Sequence, residues 1–286
     1  MSAEVLALAT AFLRGFSTIP TRRGLQQSNA RSSALIYLLV NTALLWILTV
    51  TLYPLEYLTT QGLEYFVLAG IFAPGIARTV RDVSIMRLGV AMTSPIVATN
   101  TLFAVLFATI FLHEPVTLPL LVGTTLVVGG VIVLSYRRGL GTWQRSSLLY
   151  PLLAALLFAA STTIRKVGLQ ASGLPLLGAA VTSSISLLLL ASTMLLSRHR
   201  REPLLTLNRE TAKLFGVSSI TSSVAFLFYF LALSQGYLVR VQPIAATNPL
   251  FALLFSHLLL KDLESITFRI ILGAALIFSG ILFVLL

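Results

Sequence analysis

The chain contains no cysteine. That excludes disulfide bonds, thiol catalysis and cysteine-bound zinc, and leaves the compartment open. Histidine is scarce as well: His113, His199 and His257 are not spaced as metal ligands. Acidic residues number nine against twenty basic ones, and only 10% of the chain is charged. There is no Walker sequence and no nucleotide-binding domain, so ATP does not drive the protein directly. No Ser–His–Asp arrangement and no paired acids within a hydrophobic run can be placed, which makes an intramembrane enzyme the weakest reading. No cofactor and no metal are expected. A cleavable signal is not expected either. Met1 to Ile19 lacks a basic leading region and carries Arg14 inside its apolar run, so it reads as a spanning helix.

Apolar side chains are abundant. Of 286 residues 57% are hydrophobic, and mean hydropathy is +0.94. A soluble globule of this length cannot bury that much, so the composition predicts an all-α polytopic membrane protein. The apolar runs are continuous rather than alternating, which excludes a β-barrel. Formal charge is +11. The basic residues cluster between the hydrophobic runs, which suits anionic headgroups and topology rather than nucleic acid. The lipid bilayer is therefore the expected partner.

A span needs about 20 apolar residues. Ten candidates run near 3–20, 34–53, 64–84, 89–112, 117–136, 148–167, 174–197, 213–233, 238–260 and 266–286. The longest polar gap is 198–210, and no soluble domain fits anywhere.

The chain repeats itself. Pro95-Ile-Val-Ala-Thr-Asn100-Thr-Leu-Phe-Ala-Val-Leu-Phe107 recurs as Pro243-Ile-Ala-Ala-Thr-Asn248-Pro-Leu-Phe-Ala-Leu-Leu-Phe255. The copies differ only at Val97/Ala245, Thr101/Pro249 and Val105/Leu253. Chance likeness between apolar segments would not align Pro, Thr, Asn and Phe together. Ser17-Thr18 with Gly24-Leu25-Gln26 matches Ser161-Thr162 with Gly168-Leu169-Gln170. Glu114, Thr117, Gly123 and Gly130 match Glu264, Thr267, Gly273 and Gly280, after an insertion near Lys261-Asp262. Spans one to five thus repeat as six to ten, dividing the chain at 1–140 and 141–286. Five is odd, so the second half enters the membrane with opposite polarity. Two inverted five-helix repeats around a central cavity are the expected fold, and alternating access its expected use.

These features resemble the drug/metabolite transporter superfamily, and within it the EamA family. The resemblance rests on the Pro-(x)4-Asn helix and the Glu-x-x-Thr-(x)5-Gly-(x)6-Gly helix that follows, and covers essentially the whole chain. It implies a cavity lined by spans one, three, four, six, eight and nine, with five and ten packed behind. It implies a structural role for Glu114 and Glu264 in the first turns of helices five and ten, where the helix dipole favours an acid. It says almost nothing of substrate.

Polar residues inside the spans are the candidate site. Asn100 and Asn248 need a partner or a water-lined cavity in lipid. They read either as helix–helix glue, worth roughly 1 kcal/mol, or as paired amides lining the site. Arg14 lies midway along span one, too deep to snorkel easily. Its repeat counterpart is Phe158, so the repeat does not impose the charge. Where small multidrug relatives carry a carboxylate in the first helix this chain has arginine, which argues against cation/proton antiport. Arg78 and Arg81 share a helix face, and Asp82 is spaced to pair with Arg78. Their counterparts are Phe226, Tyr229 and Phe230. They form either a solvated loop after an early helix end or a cationic cavity wall suited to carboxylate or phosphate. Ser17, Thr18, Ser161 and Thr162 would line helices one and six, and Tyr229 would offer an aromatic face. Arg165 and Lys166 are expected to snorkel to the interface. Pro95 and Pro243 are expected in the first turns of their helices, and Pro249 to kink span nine alone.

The expected activity is secondary transport of a small metabolite, anionic or zwitterionic, such as an amino acid or organic acid. The plasma membrane is the expected place; efflux is one reading, and the direction of transport is left open. The coupling ion is open, with uncoupled facilitation included. A channel, a lipid scramblase-like protein and a non-transporting scaffold are the alternatives. Basic loops put both termini outside by charge count, whereas the resemblance implies cytoplasmic termini.

Overall fold

A computed structural model of the chain describes residues 1–54, 56–57, 60–88, 90–135, 145–196, 207–259 and 268–286. Glu264, Thr267, the insertion at Lys261-Asp262 and the side chain of Asp82 lie outside the described residues. So do most of the basic stretches 137–145 and 198–213.

Every regular element among the described residues is a helix. The first half opens with α1 (Ala3–Gly24) and α2 (Ala30–Leu52). A broken stretch follows: α3 (Leu63–Gly70), a π-type segment Ile71–Ile76, and α4 (Ala77–Leu88). Then come a second broken pair, α5 (Val90–Ala98) and α6 (Asn100–Leu112), and α7 (Leu118–Ser135). The second half runs α8 (Leu149–Ser172), α9 (Pro175–Leu196), α10 (Arg209–Gln235), the broken pair α11 (Leu238–Ala245) and α12 (Asn248–Leu259), and α13 (Phe268–Leu285).

Seven helical stretches among the described residues are long and apolar enough to cross a membrane. Leu118–Leu134 and Ile271–Leu285 are shorter apolar helices. The 22 residues of α1 supply length, but Glu4, Arg14, Arg22 and Arg23 dilute its apolar character. This is an integral membrane protein. Its helix starts follow local chemistry. Asn29 Oδ1 accepts from Ser32 N at 2.8 Å to cap α2, and Asn208 with Thr211 forms a capping box on α10.

Packing follows the repeat. α1 packs on α10, and its counterpart α8 packs on α3 and α4. α1 also packs on α11 and α12, as α8 does on α5 and α6. Two contacts pair an element with its own counterpart: α2 with α9, and α7 with α13.

The last pair fixes the relation of the two halves. A Cβ at Gly123 would lie 2.7 Å from Gly280 O, and one at Gly280 2.7 Å from Gly123 O. A Cβ at Gly130 would lie 2.7 Å from Gly273 O. Gly123 therefore faces Gly280 and Gly130 faces Gly273, so α7 and α13 run antiparallel. These helices are repeat equivalents, hence the halves are inverted about this seam. Only glycine admits such close backbone approach.

Two expectations are corrected. Pro95 and Pro243 lie inside α5 and α11, not in their first turns. Helix breaks occur in both repeats, at Thr99 and at Ala246-Thr247, rather than at Pro249 alone. Each proline lacks an N–H and so weakens the ladder upstream of the break.

Candidate functional site

Each Asn sits at the break. Thr99 N donates to Ile96 O at 3.1 Å and Leu102 N to Thr99 O at 3.0 Å. Thr247 N donates to Ile244 O at 3.2 Å and Leu250 N to Thr247 O at 2.9 Å. These are three-residue bonds, tighter than α. The threonine hydroxyls take the same carbonyls, Thr99 Oγ1 to Ile96 O at 2.6 Å and Thr247 Oγ1 to Ile244 O at 2.8 Å. Asn100 and Asn248 thereby become the first residues of new half-helices, α6 and α12.

A cavity of about 330 Å³ lies at these breaks. Ser94, Val97, Ala98, Asn100 and Thr101 line it from the first repeat. Gln242, Ala245, Ala246, Asn248 and Pro249 line it from the second. These are the same five positions of the repeated motif. Irregular backbone at membrane depth is tolerated where it lines such a space. Val128 and Val131 close one side.

Charge breaks the symmetry. Arg14 and Arg81 line the cavity, and no carboxylate does so among the described residues. The Arg14 guanidinium carbon stands 4.9 Å from the Tyr229 ring centroid. The Tyr229 hydroxyl donates to Gln242 Oε1. Gln242 Nε2 donates to Asn100 Oδ1 at 3.3 Å, and Thr101 Oγ1 donates to the same oxygen at 3.4 Å. A relay thus joins α1, α10, α11 and α6 across the two halves.

Two matches cover this architecture. The model of the EamA-like transporter family matches residues 1–136 and again 145–286. The chain belongs to the EamA-like transporter family. No curated protein matches the sequence. A crystal structure of another protein superposes with a TM-score of 0.79 at 14% sequence identity, over 98% of this chain and 95% of that one. That likeness shows the fold alone.

Members of the EamA-like family are transporters, and the remaining polar residues can be placed in that light. Arg78 does not share the cavity with Arg81. It lines a separate groove of about 410 Å³ with Arg31 from α2 and Ser186 and Leu189 from α9. Thr18 borders a third hollow with Arg22 and Ser256, and donates to Gly15 O at 2.6 Å. Ser17 is buried between α1 and α10: its hydroxyl donates to Arg14 O at 2.8 Å, and its carbonyl accepts from Ser218 Oγ at 2.9 Å. Ser161 is fully buried and donates to Ala69 O at 2.8 Å and Ala73 O at 3.2 Å. Thr162 donates back to Phe158 O at 3.0 Å. Of the ten predicted site residues, the cavity wall gathers Arg14, Arg81, Asn100 and Asn248, with Tyr229 one contact behind.

Three charged residues of this EamA-like chain do work the sequence did not reveal. Arg165 and Lys166 do not snorkel; both are buried. Ala73 has extended backbone, φ −150° and ψ 134°, where span three breaks before Pro74. Its freed carbonyl accepts from Arg165 Nη2 at 2.6 Å. Lys166 Nζ donates to Leu233 O at 2.6 Å and Gly236 O at 2.8 Å, at the C-terminal end of α10. Glu114 lies in the loop before α7, not in the first turn of that helix. Its two oxygens accept from Leu238 N and Val239 N, both at 2.9 Å, and so cap α11 of the other repeat. The α10–α11 corner is held by a cation on its carbonyls and an anion on its amides, each matching the local helix dipole. Gln242 was missed as well. The one available signal was its place immediately before Pro243 of the repeated motif.

Proposed function

We propose that the protein is a secondary carrier that moves a small metabolite bearing a carboxylate or another oxyanion across the cell membrane. The observation that carries this reading is the cavity at the two helix breaks, with Arg14 and Arg81 on its wall. Guanidinium groups donate in a fork that fits carboxylate and phosphate. A volume of about 330 Å³ suits an amino acid or organic acid. In this reading α1 is a span despite its charges, giving ten. The inverted halves rock against each other about the broken helices, exposing the cavity to each side in turn.

The test is thermal stabilisation of the purified protein against amino acids, organic acids, sugar phosphates, nucleosides and lipophilic cations. A ligand at 100 times its dissociation constant stabilises by about 2.7 kcal/mol. Anionic ligands should shift the wild type and lose their effect in Arg14→Ala and Arg81→Ala. Saturable uptake and counterflow in sealed vesicles should follow with the same ligand. A shift produced by cations alone sinks the anion reading, and uptake without counterflow sinks the carrier. The groove holding Arg31 and Arg78 beside apolar walls supports a second reading, headgroup translocation, which flip-rate measurements on labelled lipid would separate.

A further inference from the structure

We infer that Gln242 is the positioning residue that turns the Asn100 side of the cavity into a wall of hydrogen-bond donors. This sets a preference for an oxyanion over a neutral isostere, and it rests on the anion reading above.

The direction of each hydrogen bond fixes which edge of Asn100 faces the cavity. Tyr229 has one hydroxyl hydrogen, and it goes to Gln242 Oε1. The Tyr229 ring is held by Arg14 across its face. Gln242 therefore presents its amide nitrogen on the opposite side, where Nε2 donates to Asn100 Oδ1 at 3.3 Å. Thr101 Oγ1 donates to the same oxygen. The acceptor edge of Asn100 is thereby engaged twice by neighbours, and the edge left for the cavity is Nδ2 with its two hydrogens. Arginine can only donate. Arg14, Arg81 and Asn100 then all offer hydrogens to a ligand. A carboxylate answers them with acceptors only, whereas an amide places an NH2 against a donor.

The repeat does not supply this device. Ser94 occupies the position of Gln242 in the first half and lines the same cavity as Asn248. Polarity has been fixed in one half by a side chain long enough to pass on an orientation, with an acceptor at one edge and a donor at the other. Serine is too short to do so.

The experiment compares carboxylates with the amides that replace the carboxylate by an uncharged group. Benzoate, succinate and phenylalanine are each titrated against benzamide, succinamide and phenylalaninamide by calorimetry. The proteins are wild type, Gln242→Met and Tyr229→Phe in detergent. Methionine keeps the length of Gln242 without the relay, and phenylalanine keeps the ring beside Arg14 without the hydroxyl. The ratio of carboxylate to amide affinity should fall about tenfold or more in both variants, which corresponds to roughly 1.4 kcal/mol. The unfolding temperature of the ligand-free protein should hold. An unchanged ratio in both variants overturns the inference and leaves the anion reading standing. Failure of the wild type to bind any of the three carboxylates removes the anion reading, and this inference with it. Should Gln242→Met not accumulate, Tyr229→Phe decides alone, because an unrestrained Gln242 can turn over and release Asn100. A merely structural Gln242 would lower affinity for acid and amide alike.

Discussion

Replacing Glu114 should loosen the second half of the protein more than the first, although Glu114 belongs to the first. Its carboxylate is 4% exposed and caps two amides of α11, Leu238 N and Val239 N. Leu238 and Val239 are themselves 0% and 1% exposed, so water cannot replace the lost acceptors. Leaving a buried donor unsatisfied costs about 1–3 kcal/mol. Glu114→Ala orphans two, so the cost is about 2–6 kcal/mol. At about 2–4 °C per kcal/mol for a chain of this size, the midpoint should fall by about 4–24 °C. Glu114→Gln keeps one acceptor and should fall roughly half as far. Glu4 in the first turn of α1 provides the control. It acts mainly through the helix dipole, and its removal should cost about 0.3–1 kcal/mol. The assay is thermal unfolding of detergent-purified protein, with hydrogen exchange locating the change. Exchange should rise at Leu238–Ala245 before it rises at Leu118–Ser135. A Glu114→Ala protein that melts within about 1 °C of wild type, or that loosens α7 first, would refute the cap across the repeats.

The α7–α13 seam should resist any side chain. A Cβ at Gly123 meets backbone of α13 at 2.7 Å, so Gly123→Leu must part the helices, and about 1–3 kcal/mol of stability should be lost in a melting experiment. Lys166→Met should cost about 1–3 kcal/mol, because two carbonyls at the α10–α11 corner lose their donor. Lys166→Arg should recover part of that in the same assay. Ser161→Ala and Arg165→Met both remove a donor from Ala73 O. A double-mutant cycle should therefore show a coupling of about 0.5–3 kcal/mol rather than additivity.

The repeat carried most of what the sequence could say. The Pro-(x)4-Asn motif singled out Asn100 and Asn248, but it led to a kink at Pro249 alone, whereas the backbone breaks in both copies, at Thr99 and at Ala246-Thr247. The Gly-(x)6-Gly spacing marked Gly123 and Gly130 as equivalents of Gly273 and Gly280, but that the two pairs face each other is a property of the packing. Arg81 and Arg78 were inseparable on a helix face, yet the bundle sends one to the cavity and the other to the groove. That division depends on which neighbours flank α4, and helical periodicity does not report neighbours. Arg165 and Lys166 misled for a related reason. Snorkelling is the default for a cation near a helix end, but here kinks at Ala73 and at the α10–α11 corner leave carbonyls free within reach. A freed carbonyl leaves no mark in a side-chain pattern. Ser17 and Ser161, equivalent in sequence, are both spent on backbone carbonyls rather than on the cavity, Ser17 on Arg14 O of its own helix and Ser161 on Ala69 O of α3.

The glycine seam has a consequence for the parts taken singly. Gly123 and Gly130 stand at the same positions as Gly273 and Gly280, and each pair meets the other in reverse order. A surface that fits its own equivalent after a half-turn is self-complementary. A polypeptide carrying the first half alone would offer that surface to another copy of itself, provided the two copies entered the bilayer in opposite senses. Fusion into one chain removes that need for dual insertion. It also frees each half to change alone, which is the condition under which Arg14, Arg81 and Gln242 arise on one side without an echo on the other.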